Sequence, residues 1–155
     1  MNTEGTKFEV PKGYEFKTKE DYAKYEKDII EAAKWLYDFP FNDQPEKRKE
    51  VSAFIVAWCN GSPNVDIELV PSILDFEEKN NGMLTLYMAS SAKYVLENNY
   101  SKDMRAKHKA ALMDMIMVYK IGLGIKKDKK MEKLIKAADA GKIDEWIESN
   151  MKVNK

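Results

Sequence analysis

From Tyr22 onward the apolar residues return at steps of three and four: Tyr22, Tyr25, Ile29, Ala33 and Leu36, with Trp35 and Tyr37 beside them. That is the spacing of one face of an α-helix. Thr18 precedes Lys19-Glu20-Asp21, so a capping hydroxyl stands ahead of an acidic first turn, and a helix is predicted from there to the Asp38-Phe39-Pro40 breaker. A second helix is announced by Asn42-Asp43-Gln44-Pro45, since proline suits the first helical position, where its missing N–H costs nothing. Val51, Phe54, Ile55 and Trp58 form its apolar stripe, and Gly61 with Ser62-Pro63 is expected to end it as a glycine C-terminus followed by a breaker.

The period then changes. Val65, Ile67 and Leu69 alternate with Asn64, Asp66 and Glu68, a strand-like pattern with no second strand to pair with, so residues 65–69 are expected to be an extended connector. Pro71 opens a short helix through Ile73, Leu74 and Phe76 that Asn80-Asn81-Gly82 closes. From Met83 a further helix places Leu84, Tyr87, Met88, Ser91, Tyr94, Val95 and Asn98 on or near one face, and its small Ser90-Ser91-Ala92 run points to close helix approach. Ser101 is read as the N-cap of the longest helix, in which Met104, His108, Leu112, Met115 and Tyr119 recur at steps of three and four, widened by Met113, Ile116 and Met117. Gly122-Leu-Gly124 interrupts the pattern. Asp128 caps a helix carrying Met131, Leu134, Ile135 and Ala138, and Gly141 separates it from a final one with Ile143, Trp146 and Ile147. The fold expected is all-α: an antiparallel helical bundle or a curved stack of about seven helices. Residues 1–17, with Gly5, Pro11, Gly13 and isolated Phe8, Tyr14 and Phe16, read as an irregular arm docking by its aromatics, and residues 18–155 as a single helical domain.

Composition narrows the function classes. A chain of 155 residues with 44% apolar and 34% charged residues has enough apolar surface for one core. The one cysteine, Cys59, forbids an internal disulfide and a cysteine cage for zinc or iron–sulfur. The longest apolar stretches, Phe54 to Cys59 and Leu112 to Met117, fall short of the roughly 20 residues a membrane span needs. The opening Met1-Asn-Thr-Glu-Gly-Thr lacks the basic and apolar regions of a signal peptide, so a cytoplasmic location is expected unless such a peptide has been removed upstream. Net charge is zero, but unevenly placed: residues 1–100 hold 12 Lys/Arg against 18 Asp/Glu, and residues 101–155 hold 14 against 8. Such halves either attract each other within one fold or leave the basic half for an anionic partner.

The stretch from Ala32 to Leu69 resembles a group of small, uncharacterised helical proteins of Bacteroidetes, many of them made with a signal peptide. The residues that carry the resemblance are Trp35-Leu36, Pro45-Glu-Lys-Arg-Lys49, Phe54 with Trp58, and Gly61-Ser-Pro-Asn-Val65, continued by Ala92-Lys-Tyr-Val-Leu96 and Tyr119-Lys120. It implies an exported or periplasmic helical domain and no particular chemistry.

Candidate chemistry is sparse. His108 is the one histidine, and positions 104, 105, 111 and 112 hold no acidic residue or cysteine, so no helical metal pair forms and no metal or cofactor is expected. Gly122-x-Gly124 lies between helices, without the strand a nucleotide loop requires. Cys59 with His108 is the one nucleophilic dyad the composition permits, against the plainer reading of a small buried sulfur. Asp75, Glu77, Glu78, Glu20 and Asp21 read as solvated helix faces rather than acid/base pairs. Two surfaces remain. Tyr87, Tyr94, Met104, His108, Met115 and Tyr119 are candidates to line an adaptable groove for a protein or small apolar ligand, against the alternative that methionines at helical spacing fill the core. Lys126, Lys127, Lys129 and Lys130 are candidates for an anion-binding surface, although only Arg48 and Arg105 supply the planar fork that nucleic-acid recognition favours. The functional expectation is a non-enzymatic interaction or ligand-binding domain, with a small hydrolase-like enzyme assembled from distant helices as the alternative.

Overall fold

The computed structural model describes residues 7–151. All regular elements there are helical: α1 (Lys19–Lys24), α2 (Glu26–Asp38), α3 (Pro45–Gly61), α4 (Pro71–Leu74) running into a 3₁₀ turn (Asp75–Glu77), α5 (Met83–Glu97), α6 (Met104–Ile121), α7 (Lys129–Asp139) and α8 (Ile143–Asn150). None is long and apolar enough to cross a membrane. Residues 1–6 of the expected arm and 152–155 of the expected domain lie outside the described residues.

At the centre is α5, packed by α2, α3 and α6. Met83, Leu86, Tyr87, Met88, Ala89, Ser90, Ser91, Ala92 and Val95 are all buried, so apolar contact surrounds this helix rather than striping it. The small side chains of residues 89–92 let neighbours come close, and the Ser90 hydroxyl is bonded to the Tyr37 hydroxyl of α2 at 2.9 Å. α7 and α8 pack together and onto α6. The aromatics of residues 7–17 dock as expected: Phe8, Tyr14 and Phe16 lie against Phe54 of α3, and Phe16 stacks on Tyr22.

Several helix ends follow the sequence cues. Thr18 and Asp21 form a reciprocal capping box, Pro45 opens α3, and Asp128 caps α7 by accepting from the Lys130 amide at 2.9 Å. Three details differ from expectation. The first predicted helix is two, broken at Tyr25, because the indole N–H of Trp58 donates to the Tyr22 carbonyl at 3.0 Å and the Tyr25 amide turns back to the same oxygen at 3.3 Å. That carbonyl is thereby diverted from the amide four residues on. The cap of α6 is Asp103, whose Oδ1 accepts from the Ala106 amide at 3.0 Å, while Ser101 accepts from the Asp103 amide one step earlier. Gly61 is helical and not left-handed; a Cβ there would run into the Tyr22 hydroxyl and force that side chain to move. The 65–69 segment is an extended connector without a ladder partner, and its alternation fades along its length: Val65 is buried and Leu69 exposed.

Candidate functional site

Where the connector crosses the junction of α5 and α6 it leaves a cleft of about 450 Å³. Asn64, Asp66 and Glu68 of the connector form one wall, and Ser101, Lys102, Asp103, Met104 and Lys107 form the other, with Val95 of α5 between them. The α5–α6 turn that shapes this second wall is strained. Asn99 and Tyr100 both take left-handed φ values, 55° and 58°, a conformation asparagine tolerates and tyrosine rarely adopts. The turn is held by two bonds from Tyr100: its amide donates to the Val95 carbonyl at 2.9 Å, and its hydroxyl donates to Glu26 of α2 at 2.8 Å.

One buried charge lines the cleft. Lys107 is a buried residue on α6, and its ammonium donates to the Asp66 backbone carbonyl and to both oxygens of Glu68 at 3.3 Å. Burial without such partners would cost several kcal/mol, of order; the connector supplies acceptors for all three N–H groups. Beside Lys107 in sequence, His108 turns into the core and meets the Tyr87 hydroxyl through Nδ1 at 3.1 Å. Burial holds the His108 pKa below its ordinary value, the Lys107 charge adds to that, and Glu68 opposes it. The Tyr87 phenol is pushed up, first by burial and then by Glu68. A neutral imidazole and a protonated phenol make this bond with either group as donor.

The residues expected to line a groove are dispersed around this site. Met104 lies on the cleft wall and is exposed. Tyr87 and His108 form the buried pair, Met115 is fully buried in the core, and Tyr94 is half-buried on α5. Tyr119 belongs to the α6–α7 contact, where its hydroxyl accepts from the Asp128 amide at 2.8 Å and donates to Glu132 at 3.0 Å. Cys59 does not gain nucleophilic character: burial pushes its thiol up to about 12, and the His108 Nδ1 is engaged by Tyr87.

At the lysine-rich end, Lys126, Lys127, Lys129 and Lys130 are all exposed. The Lys126 backbone is clamped by the Asn80 side chain, which accepts from its amide at 2.7 Å and donates to its carbonyl at 2.9 Å. Lys130 faces Asp75 at 3.5 Å and Glu78 at 3.9 Å. Acid from the N-terminal half thus meets base from the C-terminal half here, as it does at Lys107 and Glu68, in keeping with mutual attraction within the fold. Among the described residues no group of three or more His, Cys, Asp and Glu side chains is placed to hold a metal ion.

Sequence reasoning passed over Lys107, Asp66 and Glu68. A signal existed: Lys107 stands four positions before Ala111 and eight before Met115, on a row that is buried throughout. Comparison of the chain with protein-family models, with characterised proteins and with solved structures gave no match.

Proposed function

We propose that the protein is a non-enzymatic ligand-binding domain whose site is the cleft between the connector and the start of α6. The observation that carries this reading is the cleft itself: about 450 Å³ of space lined by the buried Lys107, by polar connector residues and by apolar Val95 and Met104. Small-molecule sites combine those elements, in volumes of about 300–1,000 Å³. The enzymatic alternative has less support, because the groups that covalent chemistry would draw on are engaged: the Cys59 thiol stays protonated, His108 is bound to Tyr87, and Lys107 is ion-paired.

Backbone amide NMR during titration with a chemically mixed small-molecule panel tests the reading. Compounds that bind are expected to shift the amides of residues 64–68 and 101–107, and Met104→Trp, which fills the cleft from an exposed position, is expected to abolish those shifts while leaving the fold intact. Binders that perturb other surfaces and are indifferent to Met104→Trp overturn it.

A further inference from the structure

We infer that Asn81 is a modification site, where the side-chain amide converts to a carboxylate through a cyclic imide, and that Glu77 holds this site closed in the folded protein. Asn81 is exposed and precedes Gly82, the N-cap of α5. Imide formation needs the amide nitrogen of the following residue to lose its proton and reach the asparagine Cγ, and a glycine there has no side chain to obstruct the approach. The Gly82 nitrogen then bonds to Cγ, the Cγ–N bond of the side-chain amide breaks, and ammonia leaves with the proton that Gly82 gave up. Water opens the ring at either carbonyl, which yields aspartate or its β-linked isomer. Water is the one co-reactant, and Asn81 meets it in a recess of about 280 Å³ that Glu77 and Asn80 also line.

The nitrogen that would attack is the one the fold restrains. Gly82 has no side chain with which to cap α5, and Glu77 reaches over from the 3₁₀ turn in its place. Glu77 Oε1 and Oε2 accept from the Gly82 amide at 3.1 and 3.0 Å, and Oε1 accepts from the Leu84 amide at 2.8 Å. Attack on Cγ would break these bonds and set a nitrogen anion beside a carboxylate. A carboxylate is too weak a base to take an amide proton itself, so Glu77 holds the amide rather than activating it. The reaction also needs its two atoms in a near-attack geometry, and Gly82 is pinned at φ 108°. The place in the chain makes the conversion consequential. Asn80, the preceding residue, is buried and clamps the Lys126 backbone through its side-chain amide. The β-linked product lengthens the backbone between that clamp and the first turn of α5, the helix at the centre of the fold.

Peptide mapping by mass spectrometry, on the full chain aged at mildly alkaline pH, tests the inference. Folded protein is expected to convert Asn81 at least about tenfold more slowly than the same chain unfolded in guanidinium chloride, a modest share of what positioning of reacting atoms contributes to rates. Glu77→Ala is expected to raise the folded-state rate severalfold and, in step with it, to speed hydrogen exchange at the Gly82 amide. Where Glu77→Ala does not fold, Glu77→Gln decides: it keeps one acceptor oxygen and drops the charge, and a faster conversion is expected there too. Wild-type protein that converts as fast folded as unfolded overturns the inference. So does a folded Glu77 variant whose Asn81 converts no faster than wild type. The converted fraction, separated by ion exchange, is expected to melt below the unconverted one, and coincident melts overturn the structural consequence.

Discussion

Two lysines in the basic half of the chain meet acidic partners from the other half, and they do so under opposite conditions. Lys107 has a side chain 6% exposed and pairs with Glu68 at 17%; Lys130 is 51% exposed beside Asp75 at 44% and Glu78 at 69%. Water solvates the second group in either state of the chain, so the ion pair adds little. Water is largely withdrawn from the first, so each charge depends on the other. Clustering misleads about where charge is sensitive: the four lysines between 126 and 130 stand out in the sequence, while a single lysine inside an apolar helical row is the one whose removal strands a poorly solvated partner.

The widest gap between the two sites should show on deleting the buried ammonium. Lys107→Ala leaves Glu68 without its partner and is expected to lower unfolding free energy by about 3–5 kcal/mol in denaturant melts. Lys107→Met combined with Glu68→Leu should recover most of that loss, since an apolar pair of similar size removes both charges together. A loss under about 1 kcal/mol for Lys107→Ala would erase the contrast.

A smaller effect should appear on acidification. His108 is held neutral in the folded protein, its pKa below the ordinary 6.5, so the unfolded chain takes up the proton more readily. Its contribution to stability is therefore complete above 6.5 and is lost as pH falls through 6.5 towards the folded value. Thermal melts across that window should show a decline that His108→Gln flattens. The smallest change is expected at the exposed site, where Lys130→Ala should move stability by no more than about 0.5 kcal/mol, read by the same denaturant melts.

The helices themselves were legible because their cause is local. Apolar residues at steps of three and four, Thr18, Asp128 and Pro45 at helix starts, and Gly122-Leu-Gly124 between α6 and α7 all act through their immediate neighbours. The break at Tyr25 was not legible, because its cause sits 36 residues from Tyr22, in the Trp58 indole. The cap of α6 lies two residues beyond the expected one for a different reason: Ser101 and Asp103 are both good caps, and each accepts a backbone amide here, so the local sequence does not choose between them. The cleft was the least legible part. Tyr87, His108 and Met104 stand out in the sequence as candidates to line a groove, but of the three only Met104 lines the cleft. What assembles the site is the return of Asp66 and Glu68 onto Lys107, a pairing across about forty residues that no local period encodes.

The bond from the Trp58 indole to the Tyr22 carbonyl also makes the shape of one segment depend on another. Nothing in residues 19–38 themselves, with neither proline nor glycine before Phe39, demands a break at Tyr25. The interruption coincides with a donor supplied by α3, so Trp58 is a backbone partner of the α1–α2 junction as well as a core side chain, and the rings of Phe16, Tyr22, Tyr25 and Phe54 pack around the same point.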